Sequence, residues 1–394
     1  MNEPPKPARR ILPPAFLDDP ALRAVLAALP RARMVGGCVR DALLGRAVAD
    51  IDLATPDAPA AVAAALAAAG LRAVPTGIAH GTVTAVSGHR GFEITTLRHD
   101  VATDGRHAVV AFTNDWRADA ARRDFTINAM SMTAAGEVFD YFAGLADLAA
   151  SRVRFVGDPA ARIAEDFLRV LRFFRFHARY GQGAPDSDAL AAIRAGVPGL
   201  ARLSAERVWG EIEQILVGPN TAATVALMAE TKVLGALLPE ATGGARLERL
   251  CAAGAPEDAV LRLAALIEGD GAAVGARLKL SGVEAARLVA LRAAGAPAEA
   301  ASDADLRRAL ADTPKEVLLG ACWMAGRADR LRARLVAMAV PVFPLHGRDL
   351  VALGVPAGPA VGEMLRAVRA WWLAGGGVED AAACRAEVVR RVGG

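Results

Sequence analysis

The rhythm of apolar and polar positions changes once along the chain, near residue 157. Before that point, short apolar runs bounded by Gly, Pro and Asp alternate with stretches whose apolar residues recur at three and four. The runs predict strands at 32–36, 49–54, 72–76, 82–87, 91–98, 108–112 and 137–139, and the longer period predicts helices at 21–29, 39–44 and 58–69. Such alternation argues a head domain with a mixed sheet over residues 16–157. Residues 1–15, Pro-rich and basic, read as a flexible arm. From Asp158 onward strand signals almost vanish. Ala, Leu, Arg and Glu dominate there, broken by Gly or Pro near 181–185, 197–199, 218–220, 239–244, 253–256 and 295–298. These breaks divide the remainder into a helical neck (158–218), body (219–297) and tail (298–394). The expected fold class is α+β, a mixed-sheet head followed by an all-helical extension.

Composition narrows the class without naming a chemistry. The 394 residues exceed one ordinary core, and 54% hydrophobic with 23% charged residues is a globular composition. The net charge of +3 is too small to announce a nucleic-acid partner. Cys38, Cys251, Cys322 and Cys384 show neither a C-x-x-C pair nor zinc-type spacing with His, so they read as idle thiols of a reducing compartment. No run reaches a membrane span, and the N-terminal stretch lacks the apolar core of a signal peptide. The expectation is a cytoplasmic protein with no membrane partner and no evident need of a protein partner.

The chemistry concentrates in a few short stretches. Gly36-Gly37 stands between an apolar run and a helical run, an order that exposes backbone N–H groups where a triphosphate can be held. Ten residues later, Asp50 and Asp52 flank Ile51 in a strand-like segment, so both carboxylates share one face. Two carboxylates pointing one way call for a cation, and oxygen-only ligands suit Mg2+. Glu93 joins them only if its strand pairs beside theirs; a surface pairing with Arg98 competes equally. Arg40 points back toward a bound phosphate or ribose, or else pairs with Asp41 or Asp50. Thr76 to Thr84, around His80, has the polarity of a loop lining a site, and residues 99–113 could form a mobile loop. A dinucleotide fold is excluded for want of G-x-G-x-x-G.

Two arginine-rich stretches add anion sites. Arg122-Arg123-Asp124 ends in Asn128, and adjacent guanidiniums need either an anion such as a triphosphate or neighbouring acids; Asp115, Asp119 and Asp124 are available. Glu165-Asp166-Phe-Leu-Arg169-Val-Leu-Arg172-Phe-Phe-Arg175 reads as one helix with Asp166 and Arg169 adjacent at i,i+3. That acceptor beside a donor matches cytosine and adenine and opposes uracil and guanine, and each buried mismatch costs on the order of 1–3 kcal/mol. A surface salt bridge is the alternative fate of the pair.

The ordered series Gly-Gly-x-Val-Arg-Asp, Asp-Ile-Asp-Leu, His-Gly-Thr-Val-Thr, Arg-Arg-Asp-Phe-Thr-Ile-Asn-Ala and Glu-Asp-x-Leu-Arg-x-Leu-Arg resembles the class II tRNA nucleotidyltransferases, the CCA-adding enzymes, and their poly(A) polymerase relatives. Leu203 to Trp209 is similar to the family's next helical motif, and Gly347 to Pro359 to the tail of some members. The resemblance implies addition of CCA from CTP and ATP to the tRNA 3′ acceptor end, by attack of the 3′-hydroxyl on the α-phosphate. Poly(A) addition, or addition of CC or A alone, is the alternative within the same chemistry; a silent RNA-binding protein ranks below both, since Asp50 and Asp52 are kept. By position, the resemblance gives Asp50 and Asp52 the role of Mg2+ ligands, with Glu93 a matching acid. It sets Gly36, Gly37, Arg40 and Arg123 on the nucleotide's phosphates and sugar. Asp166 and Arg169 would read the base, with Arg172 and Arg175 completing the pocket. His346 stands alone in the C-terminal third, so an appended phosphohydrolase is not expected.

Overall fold

The computed structural model describes residues 6–103 and 108–393, and the chain divides into two compact units, one ending at Leu237 and one beginning at Leu238. The first unit holds ten strands: β1 (Arg9–Arg10), β2 (Arg33–Val35), β3 (Asp52–Thr55), β4 (Arg72–Gly77), β5 (Thr82–Ser87), β6 (Arg90–Thr96), β7 (Arg98–Thr103), β8 (Ala108–Phe112), β9 (Met130–Met132) and β10 (Glu137–Asp140). Eight form one sheet in the order β1-β10-β9-β2-β3-β6-β5-β4, while β7 and β8 make a separate antiparallel pair. Every neighbour pair in the large sheet is antiparallel except β3 with β6, so the sheet is mixed. The fold class is α+β.

The helices of this unit are α1 (Pro20–Ala28), α2 (Gly37–Leu43), α3 (Pro59–Ala68), α4 (Trp116–Ala121), α5 (Gly144–Ala149), α6 (Pro159–Glu165), α7 (Leu168–Tyr180), α8 (Ser187–Gly196), α9 (Ala205–Val217), α10 (Thr221–Glu230) and α11 (Val233–Leu237). Their starts follow the local chemistry. Asp19 and Asp158 accept N–H groups of the first turns of α1 and α6, each with Pro in the first helical turn. In β6 the side chains alternate, Phe92, Ile94 and Thr96 inward and Glu93 outward. α7 buries Val170, Leu171, Phe173, Phe174 and Phe176 on one face. Its rings pack onto Phe125 and Phe155, with Phe125 5.0 Å from Phe176 and 5.1 Å from Phe155 between centroids, which pins the Arg122–Asn128 segment against α7.

Two sequence expectations change here. Arg9–Arg10, inside the expected arm, pair with β10 at the sheet edge. The loop at Thr76–Thr84 lies at the other edge, where β4 turns into β5, and its residues are not among those lining the cleft described below. The expected mobile segment at 99–113 has residues 104–107 outside the described residues.

The second unit is built, among the described residues, of helices only, running from α12 (Gly244–Ala252) to α21 (Ala381–Val392). Leu306, Leu310, Leu318, Cys322, Leu331 and Leu335 make one buried cluster, and Leu345, Leu350, Val355, Val368, Trp372, Cys384 and Val388 another. Among the described residues no helix is long and apolar enough to cross a membrane.

Candidate active site

The turn between β2 and α2 forms one wall of a cleft of about 600 Å3. Gly36 sits at φ 71°, ψ −127°, a region closed to residues with a Cβ, and a Cβ there would lie 3.0 Å from Arg123 Nη1. Glycine therefore serves twice, making the turn and letting the Arg123 guanidinium close over it. The Gly36 N–H donates to the Met130 carbonyl (3.4 Å), so the amides left free of intrahelical partners belong to the first turn of α2. Cys38 in that turn is packed, its thiol 3.2 Å from the Val35 carbonyl; burial pushes the thiol up to about 11, which leaves it inert.

Asp50 and Asp52 stand on the same cleft, both exposed, with Ile51 buried between them as the period of two requires. Asp52 opens β3, and its partner in the parallel ladder is Glu93 of β6. The condition set for Glu93 is met: its strand pairs beside theirs. Burial raises the Asp52 carboxyl, Glu93 and Asp50 raise it further, and Arg123 opposes them. Glu93 and the Asp pair thus concentrate negative charge at the cleft edge. Among the described residues no three His, Cys, Asp or Glu side chains close into a metal cage. A hard divalent cation does not need one, because it binds through one or two carboxylates together with substrate phosphates and water. The donor set at Asp50 and Asp52 fits a divalent metal of that kind.

Opposite the carboxylates, Arg40, Arg122, Arg123, Arg172 and Arg175 each have an acid to hold them. Asp119 on α4, buried, accepts from Arg122 Nε (2.9 Å), Arg123 Nη2 (3.3 Å) and the Arg98 backbone N–H (3.3 Å). Asp124 accepts from Arg172 Nη2 (2.6 Å) and Nε (2.8 Å), from Asn128 Nδ2 (3.1 Å) and from the Phe125 N–H (2.8 Å). Burial pushes the Asp124 carboxyl up, but Arg172, Asn128 and the amide overcome it and hold it below the usual carboxylate range. The chain of contacts runs on from Asn128 Oδ1 to Arg40 Nη1 (2.6 Å), and Arg40 grips Asp41 with Nε and Nη2 (3.0 and 2.8 Å). Tyr180 closes it, its hydroxyl donating to Asp41 Oδ1 (3.2 Å). Asp119 and Asp124 are the balancing acids; Asp115 caps α4 instead.

The expected base-reading pair is arranged differently. α6 ends at Glu165, Asp166 is extended (φ −154°, ψ 107°), and α7 begins at Leu168, so Asp166 and Arg169 do not share one helix. The cause is local: Asp166 Oδ1 accepts the Leu168 N–H (3.0 Å), and an Asp that caps a new helix ends the old one. Asp166 Oδ2 takes Arg207 Nη2 (2.6 Å), and Arg169 binds Glu165 (2.5 Å) and the carbonyls of Arg162 (2.9 Å) and Arg122 (3.1 Å). Neither residue is among those lining the cleft, nor is Glu93, whereas Arg172 and Arg175 are. Arg175 is held by Glu211 (2.6 Å) and Gln214 (3.3 Å) on α9. Arg179 and Phe176 also line the cleft and were not singled out from sequence; the continuing three- and four-residue step on α7 was the available signal.

A sequence model described as the poly A polymerase head domain matches residues 32–154, and one described as a probable RNA and SrmB-binding site of polymerase A matches residues 184–243. The zebrafish (Danio rerio) protein named CCA tRNA nucleotidyltransferase 1, mitochondrial, is 46% identical over 201 residues, 50% of this chain and 47% of that protein. The human protein of the same name is 50% identical over 189 residues, 47% of this chain and 44% of that protein. The chain thus spans about half the length of the curated relatives it matches. The crystal structure of the Bacillus stearothermophilus CCA-adding enzyme in complex with CTP matches with a TM-score of 0.76 at 28% identity, covering 95% of this chain and 98% of that one.

Proposed function

We propose that this chain, which belongs to the family of CCA-adding tRNA nucleotidyltransferases and poly(A) polymerases, adds C, C and A from CTP and ATP to the 3′ end of tRNA without a template. The observation that carries the reading is the meeting of Asp50, Asp52 and Arg123 beside the Gly36 turn in one cleft. A triphosphate lying in the turn has Arg123 over it and first-turn amides of α2 under it, the fixed donors that phosphoryl transfer requires. Asp50 and Asp52 then face the α-phosphate and the incoming RNA 3′-hydroxyl. Bound there, a divalent metal, Mg2+ from the oxygen-only donor set, would supply a lowered pKa for that hydroxyl and counter-charge for the departing pyrophosphate. Arg122 and Arg123 stay aimed at the pyrophosphate because Asp119 fixes both.

Base choice rests on Asp166 and Arg169, which offer a carboxylate and a guanidinium. For them to face a base, Arg207 and Glu165 exchange partners with it. The helical remainder, divided into neck, body and tail, serves to hold the tRNA; the match of residues 184–243 to an RNA-binding segment supports this. Four free cysteines support a reducing compartment such as the cytoplasm; the zebrafish and human relatives are named mitochondrial. The test is to incubate the protein with tRNA lacking its 3′ end, offer each NTP singly and in pairs, and size the products. CTP alone gives two added residues and CTP with ATP gives three; a long A tail from ATP alone would instead indicate a poly(A) polymerase.

A further inference from the structure

We infer that Arg46 and Arg179, gathered around Tyr180 at the rim of the cleft, form the site that binds the phosphates of the RNA strand being extended. The inference rests on the nucleotidyl-transfer reading and assigns it a primer site. Five arginines of the cleft, Arg40, Arg122, Arg123, Arg172 and Arg175, are each neutralised by a carboxylate. Arg46 and Arg179 are exposed, and among the described residues neither forms an ion pair or a side-chain hydrogen bond. Their guanidinium carbons lie 5.0 and 5.8 Å from the Tyr180 ring centroid, and that of Arg40 lies at 4.1 Å.

Both are held in place from the backbone. Gly45, at φ 65°, ends α2, and the Arg46 N–H returns to the Asp41 carbonyl (2.9 Å). Arg179 lies in the last turn of α7 and lines the cleft. Tyr180 is tied to the site by its bond to Asp41. Arg46 precedes Asp50 by four residues, so their Cα atoms are at most about 14 Å apart. An RNA whose 3′-hydroxyl reaches Asp50 and Asp52 therefore passes its terminal phosphates by this pair. Phosphate is the appropriate target. The terminal base changes with each addition, while the backbone charge does not. With Arg40 and Arg46 over the Tyr180 ring, its stacking surface is already taken by cations rather than offered to a base.

The test measures the KM for tRNA and the KM for CTP separately in Arg46→Ala, Arg179→Ala and Arg179→Lys, alongside tRNA binding by the unaltered chain and by both alanine variants across a salt series. Each alanine variant is expected to raise the KM for tRNA about fivefold with the KM for CTP unchanged, and Lys at 179 to restore most of it. The slope of log affinity against log salt should fall by about 0.7 per arginine removed. A rise in the KM for CTP, or no change in either KM, overturns the assignment while leaving the transfer reading intact. Absence of tRNA binding by the unaltered chain overturns that reading itself, and the assignment with it.

Discussion

Asp52 and Glu93 are register partners in the parallel pairing of β3 with β6, and Glu93 adds to burial in holding the Asp52 carboxyl above its ordinary range. The strand pairing brings together two acids that lie far apart in sequence, one on β3 and one on β6. Like charges held this close are stable when a cation shares them. We predict that Glu93→Gln raises the Mg2+ concentration for half-maximal activity about tenfold, as loss of an outer partner of a metal ligand does. An unchanged metal titration would reduce Glu93 to a surface acid.

Gly36 carries the closest approach in the site. Gly36→Ala forces a Cβ into a positive-φ conformation and to 3.0 Å from Arg123 Nη1. The strain costs about 1–3 kcal/mol, read as a lowered urea midpoint. Because the displaced group is Arg123, the KM for CTP should rise as well. Normal KM with lowered stability would leave the glycine a purely structural role.

Asp124 links stability to pH. Its carboxyl titrates below the usual range in the folded protein, so its contribution is fully present above the unfolded value near pH 4 and is lost as pH falls through the folded value. Asp124→Asn should cost about 1.5–3 kcal/mol at pH 7, since it replaces the charged acceptor of both Arg172 hydrogen bonds and leaves Glu211, 3.6 Å away, as that guanidinium's remaining carboxylate. The variant should also lose part of the acid-side fall in stability, which urea unfolding between pH 3 and 7 measures. An identical acid limb in both proteins would contradict this.

Arg169 is expected to discriminate bases despite its present partners. Arg169→Ala should reduce the preference for CTP over UTP about tenfold while leaving tRNA binding in place, because an unpaired polar edge then costs the correct base as much as the wrong one. Unchanged discrimination would leave Arg169 as a tie between Glu165 and the Arg122 carbonyl.

Residues whose roles are set by their immediate neighbours were legible in the sequence. Gly36 and the Asp50-Ile51-Asp52 alternation declare their backbone and their faces locally. Relationships created by tertiary packing were not. Nothing near Arg123 shows that it closes over Gly36, and nothing near Asp41 shows that Tyr180 joins Arg40 on it. β9, three residues all buried, is too short for its Met-Ser-Met alternation to stand out, and β1 forms only because β10 offers an edge. The break at Asp166 was hidden by an uninterrupted apolar period through Glu165–Arg179. Its signal was a capping acid two residues ahead of Leu168, which a three-to-four periodicity reads straight through.

One cleft is held to perform both C and A addition, and Asp52→Ala tests that most directly. Extension of a tRNA lacking its last three nucleotides should fail with CTP, and extension of one lacking only the final A should fail with ATP. Binding of both RNAs, followed by gel shift, should stay close to that of the unaltered protein. Retention of either addition at a normal rate would contradict a shared catalytic centre at Asp50 and Asp52.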